Sequence, residues 1–354
     1  MKKYKILVID DSIVIRQLLK NAIEAYDSLT VVGTAANGLI GLEKIQLYSP
    51  DLVVLDIEMP VMDGIETLKN IVQKFPKLKV VMCSTLSAEG AQITLDCLNI
   101  GASDFVTKPD NLHSSGSQQP FNELLYEKII ALVQQEPVVN FQPLITTSLP
   151  KKQHNAAIKA VGIGISTGGP DALLKLIPAL PKNLTVPVFI VQHMPAMFIK
   201  LLVERIQVKS EIRVCEGTHT QRVSPGTVYI APGDHHMTVN YMQGHHFIRL
   251  NEAPAVNYSR PSVDVLFESL ASAYQEHLLA IVMTGMGKDG LVGCQKIEEY
   301  GGLIYTQDQN TSTVWGMPGA VSNAGLSQKS LALAEIGGAV LDAIVAKRTV
   351  VFDK

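Results

Sequence analysis

The chain has 354 residues, of which 47% are hydrophobic and 18% are charged, and its formal net charge is −3 at pH 7. This length and apolar content predict two packed domains. The nearly balanced charge offers no electrostatic footprint for nucleic acid, so a nucleic-acid-binding protein is not expected.

Four widely spaced cysteines form no Cys-x-x-Cys pair, which predicts reduced thiols. No uncharged apolar run is long enough to cross a bilayer, so no direct membrane insertion is expected. The chain enters a predicted strand directly after Met1, Lys2 and Lys3, without the apolar region of a signal peptide. A cytoplasmic protein is therefore expected.

Residues 1–135 alternate short apolar runs with amphipathic segments. Helical patterns such as Ser12–Ala25 and Gly38–Leu47 separate the apolar runs. A polar loop is predicted at Asp110–Asn122, before a last helix at Glu123–Gln134. This fivefold β–α alternation predicts a doubly wound parallel sheet of the flavodoxin-like type. The predicted strands are Lys5–Ile9, Thr30–Ala35, Leu52–Leu55, Val80–Cys83 and Asp104–Val106.

Polar residues follow four of these strands. Asp10 and Asp11 end the first, Asp56 the third, Ser84 the fourth and Lys108 the fifth. Because the carboxyl ends of parallel strands share one edge, these side chains can converge. One rim carboxylate alone is more typical of a helix N-cap, but three together need a divalent cation, and Mg²⁺ prefers oxygen ligands. Asp56 could then attack phosphorus and form an acyl phosphate, while Lys108 and Ser84 hold phosphoryl oxygens.

Residues 5–110 resemble response-regulator receiver domains. The resemblance implies that a histidine kinase phosphorylates Asp56, and that Mg²⁺ binds Asp11, Asp56 and the Glu58 carbonyl beside Asp10. It also makes Ser84, Lys108 and the aromatic residue Phe105 the switch that responds to phosphorylation. The motifs that carry the resemblance are Asp10-Asp11, Asp56-Ile57-Glu58-Met59-Pro60-Val61-Met62-Asp63-Gly64, Ser84 and Lys108-Pro109.

Residues 136–157 contain three prolines, few charges and no clear period, which predicts a semi-extended linker. The alternation resumes over residues 158–350 and predicts a second, mostly parallel α/β domain. Helices are predicted at Ser262–Tyr274 and Gly290–Tyr300. Four predicted strands lack intervening helices and are interpreted as an inserted antiparallel section: Ile212–Val214, Thr227–Ala231, Met237–Tyr241 and Phe247–Leu250.

Ser166 lies in a glycine turn between an apolar run and a helical segment. A serine there leaves the core and lies beside backbone N–H groups that can hold an oxyanion. His193 and Asp289 follow two further apolar runs, and strand ends offering Ser, His and Asp are typical of a hydrolytic site. Taken singly, the serine suits an N-cap or phosphate contact and Asp289 suits an N-cap. The chain order differs from that of α/β-hydrolases, and no Gly-x-Ser-x-Gly elbow is present.

The segment 158–325 is similar to the catalytic domain of chemotaxis protein-glutamate methylesterases. This resemblance implies a catalytic triad of Ser166, His193 and Asp289, with oxyanion donors near Thr167 and Met286 and no cofactor. The motif around His236 predicts that this histidine lines the substrate cleft. The matching segments are 164–169, 192–195, 230–234, 260–264, 283–290 and 315–318.

A receiver followed by such a domain is the architecture of that family. It implies a phosphorylation-activated serine hydrolase that demethylates glutamate γ-methyl esters, and deamidates certain glutamines, on chemoreceptors. Methanol or ammonia leaves, and the process serves chemotactic adaptation. The implied partners are methyl-accepting chemotaxis receptors as substrate and a chemotaxis histidine kinase as phosphodonor. The unphosphorylated receiver is expected to restrict access to Ser166.

Two other functions stay open at this point. Gly162-x-Gly164 after a strand suggests a dinucleotide-binding oxidoreductase, but Gly168 falls one residue late. The next predicted strand also ends in Gln192-His193 instead of the acidic residue that a ribose requires. The second alternative is a response regulator whose output domain only binds a partner.

Overall fold

The computed structural model of the chain describes residues 3–108, 118–134 and 156–345. The chain divides into two compact units, residues 1–135 and 136–354. Most of the predicted linker and Pro109 lie outside the described residues. Within the described ranges, no helix combines the length and the apolar character that crossing a membrane requires.

In the described part of the first unit, five parallel strands form one sheet in the order β2-β1-β3-β4-β5. All residues of β3 are buried, as expected for a strand covered by helices on both faces. The predicted doubly wound sheet is therefore confirmed. The elements are β1 (Tyr4–Ile9), α1 (Ile13–Glu24), β2 (Leu29–Ala35), α2 (Gly38–Tyr48), β3 (Leu52–Asp56), α3 (Gly64–Lys74), β4 (Lys79–Ser84), α4 (Ala88–Ile100), β5 (Asp104–Thr107) and α5 (Gln118–Val133).

Side-chain caps start α1 to α4 directly after the strand-end loops. Ser12, Asn37, Asp63 and Ser87 each accept a hydrogen bond from a backbone N–H in the first turn of the helix that follows. Such caps satisfy donors that have no partner inside the helix. They therefore fix where each loop at the carboxyl edge of the sheet ends.

The last helix of this unit begins earlier than predicted. The polar composition of Asp110–Asn122 predicted a loop, but α5 already includes Gln118. Pro120 is compatible with the first turn, because N–H groups there have no intrahelical partner. Phe121 and Leu125 are both buried, so the tertiary packing of an apolar face outweighs the polar local composition.

In the second unit, the described residues form a seven-stranded sheet in the order β14-β13-β12-β6-β7-β9-β8 and a separate two-stranded sheet, β10-β11. Its strands are β6 (Ala160–Ile165), β7 (Val188–Gln192), β8 (Arg213–Glu216), β9 (Thr227–Ile230), β10 (His236–Met242), β11 (His245–Asn251), β12 (Leu278–Val282), β13 (Leu303–Gln307) and β14 (Lys329–Leu331). Its helices are α6 (Gly169–Leu176), α7 (Ala196–Lys209), α8 (Val263–Tyr274), α9 (Leu291–Glu299), α10 (Gly316–Asn323) and α11 (Leu333–Val345).

The mostly parallel α/β architecture is confirmed, but the predicted antiparallel section was too large. β8 and β9 belong to the parallel sheet, since β9 pairs in parallel with both β7 and β8, and β8 forms its edge. Among the strands of the described residues, β10 and β11 form the antiparallel pair, joined by a tight turn in which Gln243 and Gly244 both have positive φ. The lack of a helix between β8 and β9 suggested a hairpin, but an irregular segment also allows a parallel return.

The helices α8 and α9 cover the sheet near its centre and approach each other closely at Gly293. A Cβ atom there would lie 2.5 Å from the Cβ of Phe267, a residue that is fully buried. A contact at that distance requires the helices to move apart. By contrast, Gly338 in α11 is exposed, and a Cβ there would meet nothing within 4 Å.

We therefore expect Gly293→Ala to destabilise the second unit by about 1–3 kcal/mol, because the added methyl group overpacks the helix contact. Gly338→Ala, the matched helical control, should stabilise it by about 0.4–1 kcal/mol through lower unfolded-state entropy. The measurement is urea unfolding followed by fluorescence of Trp315, the single tryptophan of the chain. Equal effects of the two substitutions would contradict the close approach at Gly293.

Candidate functional sites

Three carboxylates converge at the carboxyl edge of the first sheet. Asp10 follows β1, Asp56 ends β3, and these strands are hydrogen-bonded neighbours. Oxygen atoms of Asp10, Asp11 and Asp56 lie within 4.8 Å of one another. Asp10 and Asp56 are buried and Asp11 is exposed, so the cluster opens to solvent on one side.

Lys108 supplies the positive charge inside this cluster. Its Nζ lies 2.9 Å from Asp10 Oδ2 and 2.7 Å from Asp56 Oδ1. Asp56 Oδ1 also accepts a hydrogen bond from the Ile57 N–H at 2.8 Å. One ammonium group thus faces two buried carboxylates, with a third beside them.

The excess of carboxylates over ammonium groups shifts the pKa values of Asp56 and Lys108. Burial raises the pKa of Asp56 to about 6, the Asp10 charge adds to the rise, and Lys108 opposes it. Burial lowers the pKa of Lys108, but the hydrogen bonds and charges of Asp56 and Asp10 outweigh it, so this pKa is raised. Lys108 therefore stays charged, and the cluster keeps a surplus of negative charge.

The cluster suits a hard divalent cation. Asp10 Oδ2 is buried and accepts no well-aligned hydrogen bond from any described residue, so only the Lys108 ammonium compensates it. Its oxygen ligands and unbalanced charge fit Mg²⁺. Glu58 lies in the exposed segment after β3, and its role as a ligand stays a prediction.

Two predicted switch residues lie on β4 and β5 beside the cluster. The Ser84 hydroxyl is buried and donates to the Thr85 carbonyl oxygen at 3.1 Å. Phe105 is also buried, with the Lys128 Nζ 5.6 Å from its ring centroid. Their response to phosphorylation stays a prediction.

In the second unit, the three predicted catalytic residues follow three adjacent strands. Ser166 follows β6, which lies between β7, followed by His193, and β12, which precedes the Asp289 loop. The His193 N–H donates to the Ile165 carbonyl oxygen at 3.2 Å, so the ends of β6 and β7 are tied together.

A direct hydrogen bond joins two of these residues across the end of β6. His193 Nε2 lies 2.8 Å from Asp289 Oδ2. Because Asp289 is an acceptor there, the neutral imidazole carries its proton on Nε2 and a lone pair on Nδ1. That lone pair can act as a base.

Asp289 is held by donors from several segments. The N–H groups of Val263 and Asp264, at the start of α8, donate to it at 2.7 and 3.1 Å, where the helix dipole favours an anion. Burial opposes its charge, but these bonds and His193 hold the pKa of Asp289 well below its ordinary value. Asp289 is therefore ionised at neutral pH. Its further donors are Ser262 Oγ at 2.9 Å, Asn257 Nδ2 at 3.0 Å and the Gly290 N–H at 3.1 Å.

Gln192 also contributes to the site, although its sequence pattern predicted no role for it. Its side chain is buried, and Nε2 donates to the carbonyl oxygens of Ser166 at 3.0 Å and His193 at 3.2 Å. A Cβ on Gly169 would overlap Gln192 Oε1, so this approach requires glycine. The sequence signal that could have pointed to Gln192 is its position as a polar residue at the end of an apolar strand.

The predicted oxyanion donors lie near the serine. Thr167 is buried, and its carbonyl oxygen accepts from Thr284 Oγ1 at 2.8 Å. Met286 follows Gly285, where a Cβ would lie 2.8 Å from Ser166 Cβ, so this loop packs directly against the serine. The oxyanion roles of Thr167 and Met286 stay predictions.

The predicted role of His236 in lining a cleft is wrong. His236 is 1% exposed, its Nε2 lies 3.1 Å from the Pro254 carbonyl oxygen, and its Nδ1 accepts from the Ser262 N–H at 3.2 Å. Both ring nitrogens are used by backbone groups, so this histidine supports the entry to α8 from inside the fold.

Two family models match the chain. The one described as CheB methylesterase matches residues 161–340, and the one described as response regulator receiver domain matches residues 6–114. The two matches follow each other along the chain in the order that the two units take.

Named relatives match over nearly the whole length. A protein-glutamate methylesterase/protein-glutamine glutaminase of Nocardioides sp. is 44% identical over 357 residues, covering 98% of this chain and 97% of the relative. A protein of the same name from Thermotoga maritima is 41% identical over 322 residues, covering 91% and 93%. The crystal structure of the Thermotoga maritima CheB methylesterase catalytic domain is similar to the second unit, with a TM-score of 0.52 and 40% identity, covering 53% of this chain and 99% of that one.

The raised pKa of Asp56 predicts that the stability of the first unit depends on pH. Between its ordinary value of 3.8 and about 6, the folded state binds more protons than the unfolded state. Ionisation of Asp56 therefore lowers the free energy of unfolding of the first unit progressively as pH rises through this window. The loss reaches its full size above about pH 6. Asp56→Asn should stabilise this unit at neutral pH, by on the order of 2 kcal/mol, and should lose that advantage below about pH 4.

The measurement is the pH dependence of unfolding, followed by amide exchange in β1 and β3. Asp27→Asn, at an exposed aspartate outside the cluster, is the matched control and should show no such pH-dependent gain. A lower stability of Asp56→Asn at neutral pH would contradict the interpretation of the cluster.

Proposed function

Because this chain belongs to the CheB methylesterase family and carries a response regulator receiver domain, we propose that it is a phosphorylation-activated serine hydrolase of glutamate γ-methyl esters. The hydrogen bond between His193 and Asp289, across the end of the strand that leads to Ser166, carries this proposal. The same chemistry deamidates certain glutamines. Membership of an esterase family removes the oxidoreductase alternative.

Acylation begins at Ser166. Its Oγ attacks the ester carbonyl carbon, and His193 Nδ1 takes the hydroxyl proton. The carboxylate of Asp289 stabilises the imidazolium that forms and keeps the ring oriented. Backbone N–H groups near Thr167 and Met286 hold the oxyanion of the tetrahedral intermediate.

The intermediate then collapses. His193 returns the proton to the methoxy oxygen, methanol leaves, and an acyl ester remains on Ser166. Water then attacks this ester with His193 again as the base, which releases the glutamate carboxylate. With a glutamine substrate, ammonia is the first leaving group. The three side chains supply nucleophile, base and orienting charge, so we propose that the esterase uses no cofactor.

Control of this reaction lies in the acidic cluster. A carboxylate oxygen of Asp56 attacks the phosphorus of the donor's phosphohistidine, the phosphorus–nitrogen bond breaks and the donor imidazole leaves, while the Lys108 ammonium pairs with a phosphoryl oxygen. Asp10, Asp11, Asp56 and the Glu58 carbonyl would hold Mg²⁺, which supplies charge neutralisation between these groups and the phosphate. Ser84 and Phe105 then change their contacts in response to the phosphoryl group. The expected restriction of access to Ser166 stays a prediction.

The receiver and methylesterase domains together support the partners that we propose. The substrates are methyl-accepting chemotaxis receptors, and the phosphodonor is a chemotaxis histidine kinase. Both reactions would take place in the cytoplasm, without nucleic acid and without insertion of this chain into the membrane. The resulting change in receptor methylation would serve adaptation.

Ser166→Ala should reduce methanol release from methylated receptor by about 10³-fold or more, because no other group replaces the nucleophile. Ser210→Ala, a serine substitution at the end of α7, is the matched control and should leave the rate unchanged. Trp315 fluorescence during unfolding checks that both variants remain folded. Substantial turnover by Ser166→Ala would remove this serine from the mechanism, and no turnover by the wild type would support a non-catalytic output domain.

A small phosphodonor such as acetyl phosphate should increase methanol release by the wild type. Asp56→Asn should not respond, since the amide cannot form the acyl phosphate. Asp27→Asn, which leaves the cluster intact, should respond like the wild type. A response of Asp56→Asn equal to that of the wild type would mean that another residue accepts the phosphoryl group or that regulation is absent.

A further inference from the structure

An exposed turn reaches the buried end of the proposed triad. Asn257 and Tyr258 both have left-handed backbone conformations, with φ of 50° and 61°. Val256 and Ser259 close the turn through two backbone hydrogen bonds of 3.1 and 2.9 Å. Tyr258 is 93% exposed, so the turn projects into solvent. The Asn257 side chain points the opposite way, towards α8.

The amide of Asn257 bonds two buried carboxylates at once. Its Nδ2 donates to Asp264 Oδ2 at 2.8 Å and to Asp289 Oδ1 at 3.0 Å. Asp264 and Asp289 are 4% and 2% exposed. The other Asp264 oxygen accepts from the Gly293 N–H at 2.8 Å. One neutral group thus lies between two acids.

This pair of acids can take up a proton. Burial raises the pKa of Asp264 to about 6, and the charge of Asp289 and a hydrogen bond to it add to the rise. The hydrogen bonds from the Gly293 N–H and from the Asn257 amide oppose it. The other titratable groups that face the pair are His193, against Asp289, and Cys294, near Asp264. Two adjacent carboxylates without a separating donor tend to share one proton. A shared proton would weaken Asp289 as the partner of His193.

We propose that Asn257 is a positioning residue: its amide donates to both carboxylates and lowers their affinity for a shared proton, so that Asp289 remains the anionic partner of His193. An amide NH₂ has two hydrogens and no charge, and can donate to each acid without supplying an exchangeable acidic proton. This role rests on the proposed esterase function. An exposed turn would thus help to keep the buried carboxylate of Asp289 ionised.

Asn257→Gly tests the role without straining the turn, since glycine adopts positive φ readily. It should lower kcat for methanol release about 10-fold to 100-fold, as loss of a supporting hydrogen bond typically does, and leave KM unchanged. In a plot of kcat against pH, the acidic limb should shift to higher pH by about one unit, because the carboxylate pair then holds its proton more tightly. Gln243→Gly is the matched control: Gln243 is exposed and has φ of 50° in the β10–β11 turn.

A second measurement does not depend on turnover. The carboxyl ¹³C resonance of Asp264 should titrate at higher pH in Asn257→Gly than in the wild type, and Gln243→Gly should match the wild type. An unchanged Asp264 titration would overturn the positioning role even if the enzyme is active. A change in KM alone would also overturn it and would make the turn a substrate contact. A shifted titration in a protein without methanol release would instead reject the esterase proposal.

Discussion

The charge on Asp289 is the interaction on which the catalytic arrangement depends. Burial of a carboxylate is unfavourable unless hydrogen bonds and opposite charge replace water. Here the start of α8, the Asn257 amide and His193 all direct donors at the same two oxygens, and the pKa of Asp289 falls well below its ordinary value. The bond to His193 then sets the ring orientation and leaves Nδ1 as the basic nitrogen. In the proposed mechanism, the base and the charge that orients it thus depend on one stabilised anion.

The acidic cluster of the first unit also lies at the carboxyl edge of a parallel sheet, but its buried carboxylate has a raised pKa instead of a lowered one. Asp56 is also buried after a parallel strand, but it has a like-charged neighbour in Asp10 and shares one cation, Lys108, with it. Burial therefore raises the pKa of Asp56 to about 6, whereas extra donors lower that of Asp289. The first carboxylate keeps an unmet need for positive charge, which suits a group that reacts at phosphorus. The second is fully compensated, which suits a group that acts only through its field.

Sequence patterns were sufficient where they reflect burial along a single strand. The apolar runs located the strand ends near Ser166 and His193, because parallel strands bring their carboxyl ends to one edge, and the family resemblance joined Asp289 to them. The same patterns could not show what depends on partners distant in the chain. Gln192 bonds the backbone of two site residues, and Asn257 reaches an acid 32 positions away, and neither contact leaves a periodic signal. The parallel direction of β8 and β9 was missed for the same reason, because pairing with β7 decides it.

The hydrogen bonds that compensate the buried charge of Asp289 therefore depend on the tertiary structure, because no single segment supplies them all. Its donors come from the turn at Asn257, from the first residues of α8 and from the loop after β7, and each segment is ordered by different contacts. Helix α8 is anchored in the buried core, whereas the turn at Asn257 is exposed and is held by its own backbone bonds and by the Asn257 amide. Local opening requires the least free energy where few apolar contacts are broken. Loss of order at the turn would thus change the catalytic charge first, while the sheet and α8 remain folded.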